Sequence, residues 1–228
     1  MKKIILILVC AMCMVSACDQ TYDRTERYMK SFADNTQFDI RKFKPFPTFE
    51  EEYKQSRWIL IDAIKPDSGY VYWECRYFGP DEVDHKGKTV VYNGDQSYTY
   101  LASDKQPAGL GFFIECLPNV CFSYIVAVRE DKTVDLIDSE EKLIKFMGAI
   151  DNIEEVLLQI KANGYGFDRD ALIGGAYREE EDRYLLYLLE YSRTPVTYRS
   201  VKAILYKNGK FKIKSKVTYK KMDIFVIS

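Results

Sequence analysis

The sequence predicts an α+β fold, an antiparallel sheet of hairpins with a two-helix insertion near residues 138–163. Strand-like runs lie on both sides of the insertion, for example "YVYWECRYF" before it and "RYLLYLLEY" after it. Between these runs the spacing of apolar residues changes from two to about 3.6, which is the helical period. Strands and helices do not alternate along the chain, and this favours antiparallel over parallel pairing.

Three hairpins are predicted in the first half of the chain. "FKPFPTF" (43–49) carries two prolines and should be extended, and a short helix is expected in 50–57. "WILIDAIK" and "YVYWECRYF" flank the turn sequence at 66–69. "KTVVY" and "SYTYL" flank Asn93-Gly94, a pair that type I′ turns prefer. "GLGFFIEC" and "CFSYIVAVRE" flank residues 117–120 and form the third pair.

The two helices each begin with a capping sequence. Asp138 is followed by Glu141, and Asp151 is followed by Glu154, so that each acid can accept free backbone N–H groups while a glutamate reaches back. Glycines suit both helix ends. The apolar positions repeat at helical spacing: Leu143, Ile144, Met147, then Ile153, Val156, Leu157, Ile160.

Strands return after the helices in "RYLLYLLEY", "TYRSVKAILYK" and "KFKIKSKVTYKK", the last two joined at Asn208-Gly209. In the final run lysines alternate with apolar residues, which predicts one mostly apolar face and one row of ammonium groups. We interpret that row as the solvated side of the strand, where lysines discourage edge-to-edge pairing. Contact with a phosphate or an anionic sugar is the alternative.

The amino terminus has the parts of a secretory signal. Two lysines precede an uncharged apolar run that is too short to span a bilayer. The run ends in Val15-Ser16-Ala17-Cys18, which resembles the lipobox of bacterial lipoproteins. In that family the peptide is cut before the cysteine, which carries the lipid. The resemblance implies a signal peptide at 1–17, lipid attachment at Cys18 and a membrane-anchored protein of the bacterial cell envelope, with inner or outer membrane left open.

An ordinary amino-terminal anchor or buried helix is the alternative to this signal. A metal cluster of Cys10, Cys13 and Cys18 is disfavoured, because two of these cysteines lie within the apolar run and no histidine or acid accompanies them. The predicted organisation is then a lipidated tether and leading segment at 18–47 and a single α+β domain at 48–228.

Export would allow the remaining cysteines to form disulfides, because exported proteins meet oxidising conditions. Cys116 and Cys121 flank the turn of the third hairpin, so paired strands would place them at a bridgeable distance. A disulfide is favoured slightly over two reduced thiols. Cys75 alternates with Trp73 on the expected buried face and should be a core thiol.

The helical stretch "FMGAIDNIEEVLLQIKANGYGFD" adds a second resemblance. It is similar to a segment of uncharacterised small lipoproteins of Gram-negative bacteria. The likeness covers about thirty residues, and it implies no particular activity.

Charge excludes some classes of partner. Removing residues 1–17 takes away two lysines and no acid, which leaves 31 basic and 34 acidic residues and a net charge of −3. This balance gives no surplus that would call for nucleic acid or an anionic membrane surface. We expect no metal and no cofactor, and the partners expected are the membrane, through the lipid, and a glycan or protein.

One histidine offers the clearest candidate for chemistry. His85 lies beside Asp84 and Glu82 in "GPDEVDHKGK", where a hydrolytic site could form. The glycines, lysines and proline around it favour a solvated loop, and no known nucleophile or metal motif accompanies it. The sequence therefore favours a non-catalytic binding or interaction module. The alternative is an envelope hydrolase acting on glycan or peptide with a site near His85.

Overall fold

The structure, a computed structural model, describes residues 36–48, 59–66, 69–79, 86–116 and 120–222. The predicted α+β class is confirmed, because the described strands form two antiparallel five-stranded sheets with helices between them in sequence. The strands are β1 (Lys44–Pro45), β2 (Tyr70–Phe78), β3 (Lys88–Gly94), β4 (Phe112–Glu115), β5 (Cys121–Arg129), β6 (Val134–Ile137), β7 (Ala176–Glu179), β8 (Arg183–Arg193), β9 (Val196–Tyr206) and β10 (Phe211–Lys221). The helices are α1 (Thr99–Ala102), α2 (Glu140–Met147) and α3 (Ile153–Ala162), and residues 59–62 are also helical.

With one exception, the strands of each sheet follow one another along the chain. Sheet I has the order β3-β2-β5, and β4 and β6 pair with different segments of the free edge of β5. Sheet II has the order β1-β7-β8-β9-β10. The short strand β1 therefore crosses from the start of the chain to pair with β7, which follows the helices.

Helix α3 is enclosed by the rest of the fold. Six consecutive residues, 155–160, are all buried, and this stretch covers more than a full turn. A helix covered on every side needs partners all round it. The largest core cluster supplies them, because it joins Trp73 and Ile125 of sheet I to Leu186 and Val201 of sheet II.

The outer face of each sheet is covered by a separate segment. Phe38, Ile40 and Phe43 of the leading segment pack on Leu185 and Tyr187 of sheet II. On sheet I the segment around α1 provides the cover, where Ala102 packs against Tyr72 and Tyr124. Part of the predicted tether and leading segment thus belongs to the folded domain.

Two predicted strands are wrong. Residues 59–62 of "WILIDAIK" are helical, because Ile61 and Ile64 are buried at helical spacing while Ile59 is 39% exposed. The run "SYTYL" forms a 3₁₀ turn and α1, and the Asp95 side chain caps this turn by accepting from the Ser97 N–H at 2.9 Å.

The Asn93-Gly94 hairpin is wrong as well. Strand β3 ends at Gly94 and pairs with β2 instead of with a following strand. Gly94 has a φ of +92°, and a Cβ there would lie 2.2 Å from the Val71 carbonyl oxygen. Glycine is therefore required by a close approach of two strands, and not by a turn.

The N-cap of each helix lies one residue after the predicted cap. Ser139 caps α2 by accepting from the Lys142 N–H at 3.3 Å, and Asn152 caps α3 by accepting from the Glu155 N–H at 2.8 Å. Asp138 instead forms an ion pair with Lys142. Within the described part of the chain, no helix is both long and apolar enough to cross a membrane.

The predicted alternation along the last strand is interrupted. Register shifts between Ile213 and Ser215 and between Thr218 and Lys220 break the period of two. As a result Lys216 lies opposite Val201, and lysines are distributed to both faces of β10.

Candidate functional site

A groove lies beside β6, where the chain turns from sheet I into α2. Its volume is about 460 Å³. Strand β6 contributes an aliphatic wall, and aromatic and basic side chains contribute the rest. The lining residues are Tyr70, Arg129, Val134, Asp135, Leu136, Ile137, Lys142, Lys145 and Phe146.

Three polar side chains at one end of the groove form a closed cluster. Tyr70 and Arg129 are direct cross-strand partners of β2 and β5, and Asp135 comes from the neighbouring β6. The Tyr70 hydroxyl donates to the Asp135 carboxylate at 2.9 Å, and the Arg129 Nε donates to the same oxygen at 2.9 Å. Arg129 Nη2 donates to the Tyr70 hydroxyl at 2.7 Å.

This cluster is partly solvated and holds its arginine firmly. The Arg129 guanidinium lies 4.3 Å from the centre of the Tyr70 ring, in a cation–π arrangement. Its hydrogen bond with Asp135 raises the pKa of Arg129 further above its usual value. Arg129 therefore remains charged, and its 40% exposed side chain can still meet a ligand.

Two lysines of α2 form the basic rim of the groove. Lys142 and Lys145 are one turn apart, and each pairs with an acid one turn earlier: Asp138 at 2.6 Å and Glu141 at 2.8 Å. The ion pair with Lys145 lowers the pKa of Glu141. Exposed pairs of this kind contribute little to stability, so a ligand anion can replace the acid at little cost.

The chemistry available in the groove suits an anion attached to an apolar body. Three basic side chains and one carboxylate line it, and each base already has an acid partner: Asp135, Asp138 or Glu141. A ligand anion would take the place of the exposed acids beside the two lysines. Phe146 and the aliphatic wall provide the apolar contact. The described part of the lining contains no serine, threonine, cysteine or histidine, which are the usual nucleophiles and bases of hydrolysis.

The predicted catalytic candidates are not part of this groove. His85, Asp84 and Glu82 lie outside the described residues, and the predicted lipid attachment residue Cys18 does as well. The hydrolase prediction at His85 stays a prediction.

The cysteine pair of the third hairpin is bridged. Cys116 and Cys121 form a disulfide, with their Cα atoms 5.3 Å apart, at the turn between β4 and β5. Cys75 is a buried thiol in the core. The disulfide lies at the start of β5, whereas Arg129 and the groove lie at its end. Eight residues of strand, about 27 Å, separate the two.

Sequence reasoning missed this groove for a physical reason. Its acids and lysines lie in the segment "VDLIDSEEKLIK", where helix capping and i,i+4 pairing account for most charges. Tyr70 and Arg129 join them only through pairing of β2 with β5, which is 59 residues distant in the chain. No local pattern marks that pairing.

Comparisons with known proteins add nothing to these observations: no protein-family model, no curated protein and no solved structure matches this chain.

Proposed function

We propose that this protein is a lipid-anchored protein of the bacterial cell envelope whose domain binds an anionic ligand in the groove between β6 and α2. The lipobox-like sequence ending at Cys18 supports the anchor. The observation that carries the binding function is the basic, partly apolar lining of the groove.

The lining indicates the kind of ligand. A cavity of about 460 Å³ is within the range of small-molecule sites and can hold a sugar ring or a short peptide segment. Arg129 and the two lysines of the rim suit a carboxylate, because ionised donors form the stronger hydrogen bonds. Phe146 suits the apolar face of a sugar or a side chain. The ligand class is therefore a carboxylate-bearing saccharide or peptide.

Binding without catalysis is supported by how the polar groups of the groove are used. Among the described residues that line the groove, Asp135 is the one carboxylate, and it already accepts from Tyr70 and Arg129. An acid held in this way positions an arginine. Glycoside hydrolysis also needs a second carboxylate across the cleft, and no second carboxylate is among the described lining residues.

Calorimetric titration tests the proposal. The mature chain, residues 18–228 with Cys18→Ser, would be titrated with a panel of uronic-acid oligosaccharides and acidic peptides. For the probe that binds, we expect the double variant Lys142→Gln, Lys145→Gln to bind about tenfold more weakly, because two charge-assisted contacts are lost. The matched control is Lys88→Gln, Lys105→Gln, two exposed lysines outside the groove.

Three results would contradict the proposal. The control could weaken binding as much as the groove variant, the groove variant could bind normally, or no acidic probe could bind at all. Product analysis of the same mixtures tests catalysis: turnover that disappears with His85→Ala would favour the hydrolase.

A further inference from the structure

The charges of this chain are separated along the sequence. Residues 192–222 contain ten of the 33 basic residues and none of the 34 acidic ones. This segment contains the whole β9–β10 hairpin of sheet II. The rest of the chain is therefore strongly acidic, and the near-neutral total hides a basic surface.

The basic surface is on the edge strand β10. Nine of its eleven residues are exposed, and it pairs with β9 on one side while no described strand pairs with its other side. Lysines and bulges both protect edge strands from pairing. Two register shifts already interrupt β10, so protection alone does not require so many lysines.

Four of these lysines have no carboxylate within 4 Å in the part of the chain that the structure describes. We call them the basic edge: Lys212, Lys214, Lys220, Lys221. Lys216, in contrast, pairs with Glu190, and Lys207 pairs with Glu179 at 3.1 Å. Near the far end of β10, the Tyr219 hydroxyl donates to Asp168 at 2.7 Å. The basic edge is thus free to meet an external anion.

The leading segment enters the fold on the same side. The Tyr187 hydroxyl donates to the Phe38 carbonyl at 2.6 Å, which fixes the start of the described chain on the outer face of sheet II. Ile204 belongs to the same cluster and lies directly opposite Lys212. Antiparallel partners share a face, so Lys212 extends this outer face to the edge.

The chain outside the structure leads to the predicted anchor. Eighteen peptide units join Cys18 to Thr36, and they can span at most about 60 Å. A lipid at Cys18 would hold the domain within this distance of a bilayer. The described chain begins on the face that the basic edge borders.

We propose that the basic edge of β10 is a docking surface for anionic phospholipid headgroups of the membrane that carries the lipid anchor. This inference rests on the proposed anchoring, and it does not involve the groove. One acyl-lipid signal combined with a basic patch is a recognised arrangement for membrane proteins of this type. Each surface lysine adds electrostatic attraction within a Debye length of the headgroups. The docked domain would lie flat along β10 instead of moving freely on its tether.

Vesicle sedimentation tests the surface without the anchor. The mature chain with Cys18→Ser contains every described residue and carries no lipid. It would be sedimented with vesicles of phosphatidylcholine alone and with vesicles in which about a third of the lipid is phosphatidylglycerol. We expect binding to the second kind only, and its loss when NaCl is raised from about 50 to about 500 mM.

The decisive variant neutralises the basic edge: Lys212→Gln, Lys214→Gln, Lys220→Gln, Lys221→Gln. We expect its partition to the anionic vesicles to fall by about tenfold or more. The matched control removes four exposed lysines elsewhere: Lys65→Gln, Lys88→Gln, Lys105→Gln, Lys132→Gln. It should keep most of the binding, and circular dichroism should show that both variants are folded.

Equal loss in the two quadruple variants would overturn the proposal, and so would equal binding to both kinds of vesicle. Binding to heparin without binding to anionic vesicles would also overturn it, because the surface would then recognise a polyanion other than lipid. A failure of lipidation is seen separately, as a mature chain of unmodified mass in cells, so the two proposals can fail independently.

Discussion

Arg76 and Glu74 form an ion pair beneath the segment that covers sheet I. Both side chains are nearly fully buried, and Arg76 Nε donates to Glu74 at 2.6 Å. Arg76 also donates to the backbone carbonyls of Ala102, Ser103 and Lys105 at 3.1–3.4 Å. These carbonyls end α1, so one guanidinium satisfies both a buried carboxylate and a helix terminus.

We expect Arg76→Met to lower the free energy of unfolding by about 3–5 kcal/mol, because it leaves a buried carboxylate without its charged partner and removes a donor from three backbone carbonyls. The Tyr72 hydroxyl would still donate to Glu74. Urea denaturation measures the change. Arg41→Met is the matched control. Arg41 is 82% exposed and pairs with Asp39, so its loss should cost much less than the loss of Arg76. Similar losses of stability in the two variants would mean that the buried network contributes no more than an exposed ion pair.

At the scale of elements, the local sequence pattern predicted the strands and helices in which apolar residues repeat at the spacing of that element. Strands β2, β5, β8, β9 and β10 and helices α2 and α3 all lie in the predicted regions. Local pattern failed at 59–62 and around α1, where aromatic and β-branched residues favour strand but tertiary packing selects helix. The division into two sheets could not be predicted, because β1 pairs with β7 across more than 130 residues.

Glu155 connects two of these elements at a buried position. Its carboxylate accepts from the backbone N–H of Lys65 at 2.9 Å and from that of Asp151 at 3.1 Å. Burial raises the pKa of Glu155 despite these hydrogen bonds. The folded chain therefore favours the protonated acid more than the unfolded chain does. The stability that this group contributes is complete below its unfolded pKa, and it is lost as pH rises through the folded pKa.

Replacing Glu155 by glutamine removes this titration. We expect the stability of Glu155→Gln relative to wild type to improve as pH rises from about 4 to about 7, whatever the cost of the lost acceptor. Urea denaturation at several pH values measures the trend. Glu154→Gln, which removes a charge at the same helix end, is the matched control. A relative stability that stays constant or falls with pH would contradict the raised pKa of Glu155.

At the scale of the whole molecule, the two proposed functions use different elements of the fold. The groove lies at the junction of sheet I and α2, whereas the basic edge is the last strand of sheet II. One core cluster joins the two sheets around α3. The two proposed sites therefore belong to one packed unit, and each can be altered by substitutions that leave the other unchanged.

The proposed docking of β10 on a membrane depends on the predicted lipid anchor at Cys18. We expect Cys18→Ala expressed in a Gram-negative host to accumulate uncleaved or to be released, because lipobox processing needs the thiol at that position. Mass spectrometry of the mature amino terminus is the measurement. Wild type should begin at Cys18 and carry acyl chains, since stable attachment takes at least two of them. Cys13→Ala, within the apolar run, is the matched control and should be processed normally. A Cys18→Ala chain that is cleaved and fractionates like wild type would rule out the lipid anchor, while the groove and the disulfide of the folded domain would remain unaffected.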